Sequence, residues 1–166
     1  MGRTRVVVPE KTNAMRALDA ATVNYSVHEY ALAEDEFSAV AVADQLGLPH
    51  GQVFKTLCVQ ASTGEYCFAI VPAGTNLSLK ALAKAAGHKK VEMVPVRDVR
   101  AVTGYPRGSV TVMAARKIFP VYVDTSAQTW DKIAVSAGTS GLQLLLVPAA
   151  YLRVTSAKLI PIAHGP

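Results

Sequence analysis

Lys55 is the first residue of this chain whose type and setting invite chemistry. It stands within "GQVFKTLCV", residues 51–59, where Val53, Phe54, Leu57, Cys58 and Val59 read as a buried strand. Burying an ammonium costs free energy unless the site supplies partners or a wet cleft. Strand alternation puts Lys55 on one face with Val53, Leu57 and Val59, so its stem points where a core or a cleft must lie. Two readings stay open: a point cation for a phosphate or carboxylate in a partly dry pocket, and a gatekeeper or snorkelling lysine of an edge strand. The loop "TGYPRGSV", residues 103–110, is the second candidate. Gly104 and Gly108 let backbone approach a ligand, Arg107 adds a cation, and Ser109 and Thr111 add hydroxyls. Glycine amides can hold a phosphate or an oxyanion, although an ordinary turn between a helix and a strand has the same composition. "VSAGTSGL", residues 135–142, offers Ser136 and Gly138 in the same style.

The other reactive residue types carry less. Cys58 and Cys67 each sit in an apolar run, where a thiol has a raised pKa and is inert. Without a secretory signal they read as free thiols on neighbouring strands of one hairpin, not as a disulfide. His28, His50, His88 and His164 are scattered with no ligand spacing, so neither a metal nor another cofactor is expected. The chain has no Walker loop, no dinucleotide glycine motif and no nucleophile elbow. Tyr30, Phe37, Tyr105 and Tyr122 read as pocket lining or as the edge of a core.

These candidates need a frame. A chain of 166 residues, 51% hydrophobic, is long enough for one domain with a full-sized core. "TNAMRALDAATVNY" and "EFSAVAVADQLGL" read as helices, the first capped by Thr12 or Asn13, the second closed by Gly47. "VFKTLCVQ" and "EYCFAIVP" flank the turn "STG" as a hairpin. "LSLKALAKAAG" is a helix from Ser78 to Gly87, and "PVRDVRAVTG" a shorter one with Pro95 in its first turn. "SVHEYAL", "GSVTVMA", "FPVYVD", "KIAVSAG", "LQLLLV" and "AKLIPIA" are strand candidates, with a short helix at "PAAYLRVT". Strands and helices without regular alternation predict a mixed α/β domain on a mainly antiparallel sheet.

The net charge of +5 is unevenly placed. Between residues 80 and 117, Lys80, Lys84, Lys89, Lys90, Arg97, Arg100, Arg107, Arg116 and Lys117 face only Glu92 and Asp98, nine cations against two anions. Such a segment suits a phosphate-rich partner, or is an ordinary solvated face. Glu29, Glu34, Asp35 and Glu36 make the region near residue 30 acidic. No apolar run approaches a membrane span, "MGRTRVVVPEK" has too short an apolar stretch for a secretory signal, and Val6 denies Gly2 a myristoylation motif. A cytoplasmic location follows as the expectation.

"GQVFKTLCV", "LSLKALAKAAGHKKVEM", "VTGYPRG", "YVD" and "VSAG…GL" occur in an order and spacing that resemble the YbaK family, the bacterial Cys-tRNA(Pro) deacylases, in the superfamily of the prolyl-tRNA synthetase editing domain. The likeness spans about residues 14–163, and "KKVEM" followed by "TGY" is its most specific part. It implies one YbaK-like domain over residues 1–166, a mixed α+β fold around a strongly bent, barrel-like sheet. It implies trans-editing, the removal of a mischarged amino acid, most often Cys from tRNA(Pro), by substrate-assisted ester cleavage. Lys55 would hold a phosphate or ribose oxygen near the tRNA 3′ end, while amides near Gly108 and Ser109 steady the oxyanion. Tyr30, Phe37, Thr56, Gly104, Tyr105, Thr111 and Ser136 would line the substrate pocket, and Lys80, Lys84, Lys89, Lys90 and Arg107 would bind tRNA. The implied partners are the acceptor end of an aminoacyl-tRNA and, as a second candidate, prolyl-tRNA synthetase; monomer and homodimer stay open. Ser109, Thr111, Val112 and Ala114 depart from the family's Gly-Gly-x-Ser-Pro-x-Gly run, and Gln143 stands where an aspartate is common. An inactive paralogue that binds tRNA or the synthetase, and a general esterase of small aminoacyl esters, are the competing readings.

Overall fold

Thr12, Ser38 and Ser78 each open a helix by accepting a hydrogen bond from a first-turn amide. Thr12 takes the Met15 N–H at 3.2 Å and starts α1 (Asn13–Ala20); Ser38 takes that of Ala41 at 3.3 Å for α2 (Ala39–Leu46). Ser78 takes that of Ala81 at 3.1 Å for α3 (Leu79–Ala86). Gly47 and Gly87 close α2 and α3 in left-handed conformations (φ 67° and 76°) that L side chains resist. α4 (Val96–Thr103) follows Pro95, which occupies the N-cap and not the first turn. α5 (Pro148–Thr155) carries Pro148 in its first turn, where no amide donor is missed. The structure, a computed structural model, describes residues 10–33, 36–115 and 117–165. The N-terminal stretch with Gly2 and Val6, the acidic Glu34 and Asp35, and Arg116 of the basic segment lie outside the described residues.

Ten strands are described: β1 (Ser26–Glu29), β2 (Phe54–Ala61), β3 (Tyr66–Pro72), β4 (Asn76–Leu77), β5 (Val91–Met93), β6 (Val121–Asp124), β7 (Ile133–Ser136), β8 (Leu142–Leu146), β9 (Lys158–Ile160) and β10 (Ala163–His164). They form a five-stranded sheet in the order β5-β2-β3-β6-β9, a three-stranded sheet β1-β8-β7, and the pair β10-β4. Pairing is antiparallel except between β3 and β6 and between β6 and β9. The mixed α+β class is as expected, but the sheets do not close into a barrel. β5 and β9 each have one strand neighbour in the five-stranded sheet, leaving it open at both ends.

Three local expectations change. "GSVTVMA" is not a strand; Val110, Thr111 and Met113 are buried in an irregular loop with no ladder partner. "AKLIPIA" is two short strands, because Pro161 has no N–H for a ladder. β4 and β5, two and three residues long, are too short to show alternation in sequence.

The sheet buries both faces. One side of the β2–β3 hairpin packs Phe54, Cys58, Phe68 and Ile70 with α1 residues Met15 and Leu18 and with Tyr151 of α5. The other packs Val59, Cys67 and Val71 against Leu82 of α3. Cys58 and Cys67 therefore lie on opposite faces of adjacent strands as free thiols, and burial pushes both up to about 11. Asp124 ties the C-terminal segment down: its Oδ1 accepts from the amides of Ile162 and Ala163, both at 2.9 Å, and its Oδ2 from that of Ser126 at 3.1 Å. Burial alone would raise its pKa, but these hydrogen bonds outweigh it and hold the carboxyl below its ordinary value.

Candidate active site

β2 has β3 along one whole edge, but its other edge is divided between two partners. At the start, Val53 makes a one-residue parallel bridge to Ala134 of β7. From Val59 to Ala61 the strand pairs with β5, and just before it the Val94 amide reaches the Cys58 carbonyl at 3.0 Å. Between these contacts, residues 54–57 have no strand on that side among the described residues. A cavity of about 650 Å³ opens at this split, a size suited to a small ligand or the end of a larger one. Backbone groups alternate sides along an antiparallel strand. Because the Cys58 carbonyl points toward β5, Thr56, two residues earlier, directs its own N–H and C=O into the split.

The cavity gathers residues from distant parts of the chain. Lys55, Thr56, Tyr30, Phe37, Arg107, Gly108 and Ser136 all line it. Lys55 is half-buried, and its Nζ donates to the Thr75 carbonyl at 2.8 Å, the turn after β3 holding the ammonium in place. It pairs with no carboxylate among the described residues. Two of its three N–H groups thus remain for a ligand. Burial pushes its pKa below the ordinary lysine value. The Lys55 stem therefore belongs to a cavity wall, not to a solvated edge.

Phe37, 42% exposed, sits at the rim with the Arg107 guanidinium 4.8 Å from its ring centroid, a cation–π contact. Gly108 closes the clasp: its φ is +86°, and a Cβ there would come within 2.9 Å of Phe37 Cδ1. On the far wall, Thr56 lies beside the fully buried Tyr151, whose phenol is raised far above its usual value by burial. Ser136 accepts from the Gly138 amide at 3.2 Å, which sets the turn that follows.

Four other predicted residues sit behind this wall. Ser109 is buried, and both its amide and its hydroxyl donate to the Pro106 carbonyl at 3.1 Å. Its N–H is committed to the turn, so it is not free to hold an oxyanion. Gly104 ends α4 at φ 82°. Tyr105 donates its hydroxyl to the Ala114 carbonyl at 3.0 Å, and the buried Thr111 hydroxyl accepts from the Met113 amide at 3.3 Å. These three brace the loop that presents Arg107 and Gly108. Lys80, Lys84, Lys89 and Lys90 are exposed on and after α3 and do not line the cavity; Lys90 pairs with Glu92 at 3.0 Å.

In the sequence Gln143 stands out only as a departure from the family pattern, and nothing there marks the Thr56 backbone. Gln143 lines the cavity at 6% exposure, and its Oε1 has no hydrogen-bond partner. Only its place on β8, opposite both His28 of β1 and Ser136 of β7, brings it there. No group of three or more His, Cys, Asp or Glu side chains suited to a metal occurs among the described residues. No helix among them is long and apolar enough to cross a membrane.

Comparisons with known proteins place the chain in a family and its fold among solved structures. A family profile described as "Aminoacyl-tRNA editing domain" matches residues 33–154. A protein of Enterococcus faecalis (strain ATCC 700802 / V583) named "Putative Cys-tRNA(Pro)/Cys-tRNA(Cys) deacylase EbsC" is 42% identical over 149 residues, covering 90% of this chain and 91% of its own. The crystal structure of hypothetical protein APE2540 superposes with a TM-score of 0.81 at 20% identity, over 90% of this chain and 97% of that one. The "Crystal structure of a putative trans-editing enzyme for prolyl tRNA synthetase" does so with a TM-score of 0.77 at 20% identity, over 94% of this chain and all of that one. The two structures share the fold.

Proposed function

The chain belongs to the family of aminoacyl-tRNA editing domains, and on that premise we propose that it removes cysteine from mischarged Cys-tRNA(Pro), acting in trans as one cytoplasmic domain. It is an aminoacyl-tRNA deacylase; the identity of the amino acid and of the tRNA is the proposal. The observation that carries it is Lys55, an ammonium without a carboxylate partner among the described residues, in the wall of a cavity at the split edge of β2.

The cavity supports a division of labour. Lys55 holds a phosphate or ribose oxygen of the terminal adenosine as a point cation. The Phe37 ring and the Arg107 guanidinium above it cover the mouth where the nucleotide enters. The aminoacyl group lies deeper, between Tyr30, Thr56 and Ser136. An aminoacyl ester is already activated, so the protein need not supply a nucleophile, and Cys58 and Cys67, both raised to about 11 by burial, are unsuited to be one. The substrate's own thiolate attacks its ester carbonyl: a carbon–sulfur bond forms, the carbon–oxygen bond breaks, and the ribose oxygen leaves with the proton the thiol gave up. Holding thiolate and carbonyl together lowers the entropic part of the barrier. The oxyanion formed on the way meets the Thr56 amide directed into the split and the Gly108 amide at the rim, preorganised donors in a shielded site. Exposed Lys80, Lys84, Lys89 and Lys90 attract the acceptor stem, an attraction that salt weakens. Prolyl-tRNA synthetase is the natural second partner, because it produces the substrate.

The test is a deacylation panel with Cys-tRNA(Pro), Ala-tRNA(Pro), Cys-tRNA(Cys) and other mischarged tRNAs. Release from Cys-tRNA(Pro) at least tenfold faster than from Ala-tRNA(Pro) is expected, because alanine has no thiol. No release from any member, with salt-sensitive tRNA binding retained, would instead identify a non-catalytic binder. Equal rates on free aminoacyl esters would mark a general esterase.

A further inference from the structure

Lys55 is anchored through a neutral contact, and that contact comes from a tightly tied turn. Its Nζ donates to the Thr75 carbonyl at 2.8 Å, and both residues line the cavity. Thr75 ends the four-residue turn 72–75 that follows β3, and it closes the turn with two donors on one acceptor. Its hydroxyl reaches the Pro72 carbonyl at 2.7 Å, and its amide reaches the same carbonyl at 3.3 Å. The hydroxyl bond is the shorter, so the side chain tightens a turn that the backbone alone closes loosely. Gly74 takes the third position at φ +79°, where a turn of this kind calls for glycine. Val40 Cγ2 of α2 and the His50 ring lie 3.7 to 3.9 Å from where a Cβ would stand on Gly74. His50 is itself held to Asp44 of α2 at 2.7 Å. On the other side Asn76 enters β4 and pairs with His164. The Thr75 peptide is thus fixed from both ends.

From this we infer that Thr75 is a positioning residue for the reaction: its hydroxyl locks the turn so that its carbonyl presents the Lys55 ammonium to the substrate. The inference rests on the deacylase reading above, in which Lys55 meets an oxygen of the terminal adenosine. A lysine stem has many rotamers, and ordering it on binding costs free energy. The Thr75 carbonyl orders it before the substrate arrives, which is the gain from preorganisation. The kind of acceptor matters as much as its place. A carboxylate would hold the ammonium more firmly, but it would offset the charge and compete with a phosphate for it. A carbonyl takes one N–H and leaves the others, with the full positive charge, to the ligand. The Thr75 hydroxyl proton is committed to Pro72, so its influence on the substrate passes through Lys55.

The experiment measures Cys-tRNA(Pro) deacylation by wild type, Thr75→Val, Lys55→Met and the double variant. Valine keeps the branched shape and removes the hydroxyl. It is expected to lower kcat/KM roughly five- to tenfold when Lys55 is present and less than about twofold in Lys55→Met, a coupling of the size found between contacting residues. The loss falls on the same parameter, kcat or KM, as the loss in Lys55→Met. Thr75→Ser keeps the hydroxyl and is expected to stay within about twofold of wild type. A residue with only a structural role would lower Tm and scale the rates equally in both backgrounds. That additive result overturns the inference, as does a Thr75→Val enzyme as fast as wild type. Gly74→Ala strains the same turn at φ +79°, and it enters the same cycle should the valine variant not fold. Titration calorimetry of the same four proteins with 3′-cysteinylamino-3′-deoxyadenosine 5′-phosphate, a non-hydrolysable ligand, separates this inference from the reading beneath it. Coupled losses of affinity without release from any tRNA would defeat the deacylase reading and leave the role of Thr75 standing. Release from mischarged tRNA with additive losses would do the reverse.

Discussion

Asp124 and Gln143 are equally buried, each at 6% exposure, yet the two regions treat them oppositely. Asp124 ends β6 and accepts three backbone amides, one from Ser126 and two from the C-terminal segment. Gln143, at the cavity floor, leaves its Oε1 with nothing. A buried polar group that is fully paired supports the fold; one left unpaired costs stability. Lys55 falls between them, with one hydrogen bond to a carbonyl and two donors spare. The same distinction separates Ser109, whose amide and hydroxyl are consumed by a turn, from Gly108 one residue earlier at the rim.

The contrast breaks most visibly at Asp124. Asp124→Ala is expected to cost about 3 kcal/mol, because charge-assisted bonds are lost and three amides are stranded, lowering Tm by roughly 6–12 °C. Activity at low temperature should survive in the folded fraction. The pH sign follows from the depressed carboxyl. Its stabilisation is complete above the ordinary carboxylate range and is lost as pH falls through the folded value, so the gap between wild type and variant in urea melts closes below about pH 4. A gap that stayed constant with pH would mean that Asp124 acts by packing alone.

Lys55→Met tests the opposite case. Deacylation is expected to fall about 100-fold, near 2.7 kcal/mol of transition-state stabilisation, while Tm holds or rises. Burial lowers the Lys55 pKa, so its charged form is the costlier one in the fold. Relative to the variant, wild type gains stability as pH climbs through that lowered value toward 10.5. A destabilised but active variant would return Lys55 to a structural role.

Gly108→Ala probes the rim more gently. The added methyl meets Phe37 at 2.9 Å in a backbone region that L residues resist, and a loss of roughly tenfold in kcat/KM is expected, on the scale of one displaced transition-state donor or less. Adding Phe37→Ala removes the clash but not the strain, so the double variant should recover only in part. Full recovery would assign the whole effect to the ring. The exposed cations come last. Lys80→Gln and Lys84→Gln are each expected to weaken tRNA binding a few-fold and to reduce its log–log salt slope by about one. An unchanged slope would place the acceptor stem elsewhere.

Much of this was legible in the sequence because the signals are local. Thr12 and Ser78 open two helices, and Gly47 and Gly87 close two, through hydrogen bonds and dihedrals within a few residues of themselves. The start of α2 was not legible: Ser38 caps it inside the helix expected from Glu36. The "STG" turn and its apolar flanks determined the β2–β3 hairpin, with Lys55 on it and both thiols inert. What only the tertiary structure decided depends on pairings between distant segments. The gap beside Thr56 exists because β2 meets β7 at Val53 and β5 only from Val59, strands that lie some eighty and thirty residues further along. That gap made Lys55 a wall of a cavity, assigned Arg107 and Phe37 to one rim, and left Tyr105 and Thr111 as bracing. Gln143 could be read in sequence as a polar residue in an apolar strand. Whether its carbonyl would be satisfied depended on which neighbours three strands brought together, and no local pattern encodes that.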